Sequence, residues 1–199
     1  MIDKNNIISQ LPSINDLVLE LGCGSFKKNT AWIGIDIRDA PGVDIVGDVF
    51  EVIKAFPENS VDEVHAYHFF EHITDVPELL KELSRVLKAA GNIEIAVPHF
   101  SNPYFYSDLT HKNYFGLYSF SYFVKDELLV HKVPDSLVNY NLQLKSVKLC
   151  FSSPLYINRP FRRLLQLVFN VSNLMKEWYE DSWCRSFPCY EIRFILIKK

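Results

Sequence analysis

The chain has 199 residues, 48% of them hydrophobic and 23% charged, the size and composition of one ordinary folded domain. A net charge of −3 leaves no global field to draw it to nucleic acid or to an anionic membrane. No apolar run approaches the roughly 18 residues that span a bilayer, and the polar start MIDKNNIISQLPSIND with four scattered cysteines lacking a CxxC pair makes a reduced, cytoplasmic protein the expectation.

In chain order, short apolar runs alternate with turn or helix signals, the pattern of βαβ units and a parallel sheet. Residues 17–21 (LVLEL) read as a buried first strand ending at Gly22, 32–37 (WIGIDI) as a second and 43–46 as a short third. Residues 61–67 (VDEVHAY) read as a fourth and 92–97 (NIEIAV) as a fifth. Between these two, Val76, Leu79, Leu80, Leu83, Val86 and Leu87 recur at helical spacing, with Asp75 as N-cap, Pro77 in the first turn and Gly91 past the end. Ten aromatics then crowd residues 100–123 without clean periodicity, which suggests a lid or pocket wall, with core packing the commoner explanation of such a crowd. Residues 142–150 alternate as a sixth strand, a helical stretch covers about 160–180, and 190–197 (YEIRFILI) read as a seventh strand. No repeat or linker divides the chain, so a single domain over residues 1–199 is expected.

Ligands of open α/β sheets bind at the carboxyl ends of the strands, near the point where strand order reverses. The first strand ends in Glu20-Leu21-Gly22-Cys23-Gly24, where two glycines let the backbone turn sharply and approach a ligand; a purely structural tight turn has the same signature. Asp36 ends the second strand, where a carboxylate can accept both hydroxyls of a ribose. Asp48 follows the third in Gly47-Asp48-Val49, placed to accept from an adenine amino group. Glycines and two acids, each at a strand's carboxyl end, point to an adenosine-containing ligand. A dinucleotide fails on two counts. Its fingerprint needs glycine where Lys27 stands, and its acid about 20 residues on, whereas Asp36 lies 12 beyond Gly24.

LELGCG, IGIDI, GDVFE, VDEVHAYHFFEHI and PELLKELSRVLKAAGNIEIAVP, in that order over residues 18–98, resemble the successive motifs of class I S-adenosylmethionine-dependent methyltransferases, especially the type 11 group. The resemblance implies an α/β fold with a doubly wound, Rossmann-like, seven-stranded, mostly parallel sheet. Its strands would be ordered 3-2-1-4-5-7-6 with the last antiparallel, and acceptor-side insertions would fall at about 98–125 and 151–185. It also implies S-adenosyl-L-methionine as cofactor. Glu20, Gly22 and Gly24 would form the cofactor loop, with Glu20 orienting the methionine amino end. Asp36 would hold the ribose, Asp48 and Val49 the adenine, and Tyr67, His68 and Phe69 would border the cofactor. Two departures are Phe26, where the family carries a third loop glycine, and a first crossover too short for a full helix.

THKNYF and YEIRFILI are similar to a branch that modifies small molecules or glycans, which implies such an acceptor, methylated at oxygen. In-line displacement at a sulfonium needs chiefly positioning, and an oxygen acceptor adds a base. The candidates are His111, then His99, with Asp108, all in VPHFSNPYFYSDLTHKNYF beyond the fifth strand. A helix capped by Asp108 and Thr110, with His111 on its surface, accounts for the same residues. Glu71-His72 reads as the start of a turn, and no compact ligand spacing suggests a metal. Arg159, Arg162 and Arg163 either grip an acidic acceptor or begin a solvated helix. With no Lys/Arg stripe, neither nucleic acid nor a membrane is an expected partner. The alternatives are an S-adenosylmethionine-binding module without turnover, motivated by Phe26, and a nicotinamide-dependent oxidoreductase.

Overall fold

Aliphatic runs between turn residues become the central strands of an eight-stranded sheet, in a computed structural model that describes residues 1–134, 140–152 and 155–199. The strands are β1 (Ile2–Asp3), β2 (Val18–Leu21), β3 (Ile33–Asp36), β4 (Ile45–Val46), β5 (Val61–Tyr67), β6 (Leu87–Pro98), β7 (Leu142–Cys150) and β8 (Glu191–Lys198). The helices are α1 (Ile7–Gln10), α2 (Val49–Lys54), α3 (Val76–Val86), α4 (Arg159–Phe169) and α5 (Asn173–Trp178).

The strands lie in the order β1-β4-β3-β2-β5-β6-β8-β7. From β4 to β6 they run parallel, while β8 is antiparallel to both of its neighbours and β1 to β4. Without β1 this is the expected seven-strand order with an antiparallel last strand. β1 is the difference. Two residues carry no readable periodicity, and Ile2 and Asp3 are a strand only because Val46 and Ile45 lie opposite them. Strands covered on both faces read as continuous apolar runs, and Leu19, Leu21, Ile35, Ile45, Val64 and Ala66 are all buried.

α3 has the caps its sequence announces: the Asp75 carboxylate accepts from the Glu78 N–H at 3.0 Å, and Leu79, Leu80, Leu83 and Val86 are buried. Each such side chain contributes about 1.5–3 kcal/mol by removal from water. The helix stops before Leu87, whose ψ of 142° opens β6. β6 is therefore longer than the expected 92–97, with an irregular register between its pairings at Leu87 and Asn92.

The first crossover contains no helix. The helical stretch expected over 160–180 is divided into α4, α5 and a π-helical turn at Tyr179–Trp183. Asn170 breaks it. Its side chain accepts from the Leu149 N–H and donates to the Leu149 carbonyl, at 2.9 and 2.8 Å, satisfying the exposed edge of β7. Ser172 then caps α5 by accepting from the Met175 N–H. Of the insertion expected at 151–185, residues 153 and 154 lie outside the described residues. Among the described residues, no helix is long and apolar enough to cross a membrane.

Candidate active site

The carboxyl ends of the parallel strands open into one cleft of about 640 Å³, at the reversal of strand order between β2 and β5. Gly22 begins it. Its φ is 66°, and a Cβ there would lie 2.5 Å from Phe69 Cδ2, so only glycine lets the Phe69 ring lie across the loop. Gly24, with φ 59°, donates its N–H to Asp36 Oδ2 at 2.9 Å, and the Arg38 N–H donates to Oδ1 at 2.9 Å. Asp36 is thereby buried and fixed at the cleft wall. Asp48 caps α2, accepting from the Phe50 N–H at 2.8 Å, and its exposed side chain faces the same cleft.

Val49, His68 and Phe69 also line this cleft, whereas Glu20, Gly24 and Tyr67 do not. Side chains alternate across a strand. That sends Glu20 and Tyr67 to the face occupied by His65, Trp32 and Lys28. Glu20 accepts from the Lys28 N–H at 2.8 Å. Burial raises its carboxyl above the ordinary value, against that hydrogen bond. Tyr67 stacks near His65 instead of bordering the cleft, a correction to the sequence expectation. Gly24 reaches the cleft only through its bond to Asp36.

His68 holds a left-handed backbone, φ 52°, with Nε2 at 2.9 Å from Glu191 Oε2 and Nδ1 at 3.4 Å from Glu71 Oε1. The Glu191 carboxylate, and after it Glu71, raise the imidazole pKa to about 9 against burial. Burial pushes Glu191 up, but hydrogen bonds from His68 and Arg193 hold it below its ordinary value.

The segment beyond β6 folds back over the short turn Phe70–His72. The Lys112 N–H donates to the Glu71 carbonyl at 2.7 Å, and Asn113 Nδ2 donates to the Ile73 carbonyl at 2.5 Å. This sets the His111 and His72 rings 4.9 Å apart. His111 Nδ1 lies 2.9 Å from the Phe105 carbonyl, and its Nε2 lies 3.6 Å from Asp108 Oδ2. Asp108 accepts from both the hydroxyl and the N–H of Thr110, which lowers its carboxyl pKa; the result is a local turn, not a helix cap. Asp108, Thr110, Lys112 and His72 line the cleft, whereas His111 does not and stands behind Asp108.

His99 corrects the expectation for a second base. It is fully buried, its Nδ1 2.8 Å from Ser101 Oγ and its Nε2 3.1 Å from Glu180 Oε2, and it packs on Phe100. Both ring nitrogens are engaged in the core, away from the cleft. The aromatics of 100–123 are likewise not its wall. Phe105, Phe115 and Phe120 are buried, Tyr104, Tyr106 and Tyr114 face solvent, and none lines the cleft. Sequence reasoning passed over Glu71 and His72, whose signal was their place just beyond strand β5. It had no means to find Arg38, Lys112 or Glu191.

Residues 19–95 match the family described as a methyltransferase domain. No curated protein matches the chain significantly. Solved structures share its architecture nearly end to end. A SAM-dependent methyltransferase from Archaeoglobus fulgidus is 18% identical, with 98% of this chain and 94% of that one covered at a TM-score of 0.54. One from Mesorhizobium loti is 10% identical, with 99% and 98% covered and a TM-score of 0.54. A geranyl diphosphate methyltransferase in complex with SAM is 12% identical, with 98% and 84% covered and a TM-score of 0.55. At such identities the likeness is one of fold, and the fold is the Rossmann-like methyltransferase sheet. The domain match falls on the part of that sheet that carries Gly22, Asp36 and Asp48, from β2 into β6.

Proposed function

We propose that the chain is a class I S-adenosylmethionine-dependent methyltransferase that transfers the cofactor's methyl group to an oxygen of a small-molecule or glycan acceptor, with Asp108 at the cleft wall, and His111 behind it, serving that acceptor. One observation carries the reading: a single cleft has Asp36 and Asp48 on one side and His72, Asp108 and Thr110 on the other. The residues present fit the cofactor. The cleft's 640 Å³ lies within the usual range for small ligands. A carboxylate has about four acceptor positions, so Asp36 retains capacity for ribose hydroxyls beyond the Gly24 and Arg38 N–H groups. Asp48 is left to meet the adenine, and Gly22 permits close backbone approach.

When bound, S-adenosylmethionine supplies an electrophilic methyl on a sulfonium. The chain's part is to hold the acceptor in line and to take its proton. His111 is set for that. Its Nδ1 proton goes to the Phe105 carbonyl, which leaves the lone pair on Nε2, beside the Asp108 carboxylate. A nucleic-acid acceptor is not part of this reading. Arg159, Arg162 and Arg163 line a separate cavity of about 540 Å³ with Phe151 and Leu167 and form no stripe.

The test is release of S-adenosylhomocysteine across a panel of hydroxylated small molecules and glycans. His111→Ala is expected to cut turnover by roughly 10²–10⁴ while S-adenosylhomocysteine affinity stays unchanged. Near-normal turnover would remove His111 from the chemistry. Turnover of amines or thiols alone would overturn the choice of oxygen.

A further inference from the structure

Glu71, His72 and His111 meet where the acceptor side of the cleft begins, and we infer that they bind one divalent transition-metal ion that holds the acceptor oxygen. Each offers a ligand atom, and the three atoms lie within 4.8 Å of one another. No motif spacing announces the set, because His111 comes from a separate segment, held against Glu71 by the Lys112 N–H bond to the Glu71 carbonyl.

Glu71 carries the argument furthest. It is 0% exposed, and neither carboxylate oxygen has a hydrogen-bond partner. Its nearest cationic group, His68 Nδ1, stands 3.4 Å away. His68 faces the carboxylate at Oε1 alone, so a second cation would stabilise this buried group further.

The two imidazoles are already oriented as ligands. The Phe105 carbonyl can only accept, so His111 carries a proton on Nδ1, and its neutral form presents a lone pair at Nε2. His72 Nδ1 lies 3.0 Å from Thr110 Oγ1 and 3.3 Å from the Thr110 carbonyl. Thr110 commits its own hydroxyl proton to Asp108 at 2.6 Å, so both oxygens accept and His72 Nε2 bears the lone pair. A protein acceptor on the far ring nitrogen is the usual support behind a metal-bound histidine.

Two imidazoles and one carboxylate suit Zn²⁺, Co²⁺, Fe²⁺ or Mn²⁺ in preference to Mg²⁺ or Ca²⁺, which favour all-oxygen shells. Bonds of roughly 2.1 Å require each ligand atom to draw in by less than about 1 Å. Of the three ligands His72 lines the cleft, beside Asp108 and Thr110, and an acceptor would reach the ion from that side. A hydroxyl bound there loses its proton more readily, and Asp108 or water takes that proton. The oxygen then bonds to the methyl carbon as the carbon–sulfur bond breaks, giving a methyl ether and S-adenosylhomocysteine. With the ion bound, His111 Nε2 is taken up as a ligand, and Asp108 or water replaces it in the proton-accepting part that His111 has in the ion-free site. This catalytic role rests on the oxygen-transfer reading; the metal site itself does not.

The full chain, stripped with a chelator, would be titrated with Co²⁺ alone and followed by visible absorption and calorimetry. One-site binding, reversed by Zn²⁺, is expected. Glu71→Gln, His72→Gln and His111→Gln should each weaken it at least about tenfold, while His131→Gln, outside the cluster, leaves it unchanged. His111→Gln keeps the test decisive should the buried Glu71→Gln not fold. Absence of saturable binding, or binding indifferent to all three substitutions, overturns the site. S-adenosylhomocysteine affinity of the same samples reads the cofactor assignment separately. Full turnover by stripped protein, alongside tight Co²⁺ binding, would overturn the ion's catalytic role.

Discussion

Alanine at Gly22 and at Gly24 should have different consequences, although both glycines have a left-handed backbone, with φ of 66° and 59°. Either alanine costs about 1–2 kcal/mol from that conformation. At Gly24 the new methyl's nearest atom is Arg38 Nη2 at 3.8 Å, an ordinary contact. At Gly22 it would stand 2.5 Å from Phe69 Cδ2 and 3.1 Å from Cγ, so the ring must move. Overpacking of this kind adds about 1–3 kcal/mol. Gly22→Ala is therefore expected to lose about 2–5 kcal/mol, and Gly24→Ala about 1–2. Phe69 lines the cleft, so its displacement should also weaken S-adenosylhomocysteine binding about tenfold, or ~1.4 kcal/mol. Gly24→Ala keeps its N–H bond to Asp36 and should lose much less affinity. Urea unfolding gives the first comparison and calorimetry the second. Equal stability losses would refute the packing argument. Undiminished affinity in Gly22→Ala would refute the placement of Phe69 against bound cofactor.

Asp36→Ala should weaken S-adenosylhomocysteine binding and also lower stability, by about 1–3 kcal/mol for each N–H left without its acceptor; a loss of affinity at unchanged Tm would contradict the bonds to Gly24 and Arg38. Burial, then the charges of Asp36, Glu20 and Asp44, raise the Cys23 thiol from 9 to about 11. Below pH 9 its thiolate fraction is about a hundredfold smaller than that of an unperturbed thiol, and it rises with pH. Iodoacetamide should accordingly label Cys23 slowly near pH 8 in the folded protein and quickly in urea, and equal rates would refute the shift. Phe120→Ala should cost about 3–5 kcal/mol, because its buried ring packs on Phe70, Phe115 and Phe194. Leu109→Ala, at 96% exposure in the same segment, should change stability by less than about 0.5 kcal/mol.

Features that neighbouring residues dictate can be read directly from the chain. The central strands, α3 with its Asp75 cap, and Gly22, Asp36 and Asp48 at strand ends are legible because apolar periodicity, caps and turn chemistry act over a few residues. The strand order came from the family resemblance, and the sheet agrees with it once β1 is set aside. Where side chains from distant segments meet is set by packing across the whole fold. Strand alternation turned Tyr67 toward His65, and the packing of Glu180 and Ser101 around His99 made a core residue of a candidate base. The same folding back that buries Phe105 and Phe115 brings His111 beside His72 and the buried Glu71. Such meetings depend on the path of a loop through space, set by backbone bonds such as Lys112 to Glu71, and no local pattern in the residues of that loop encodes them.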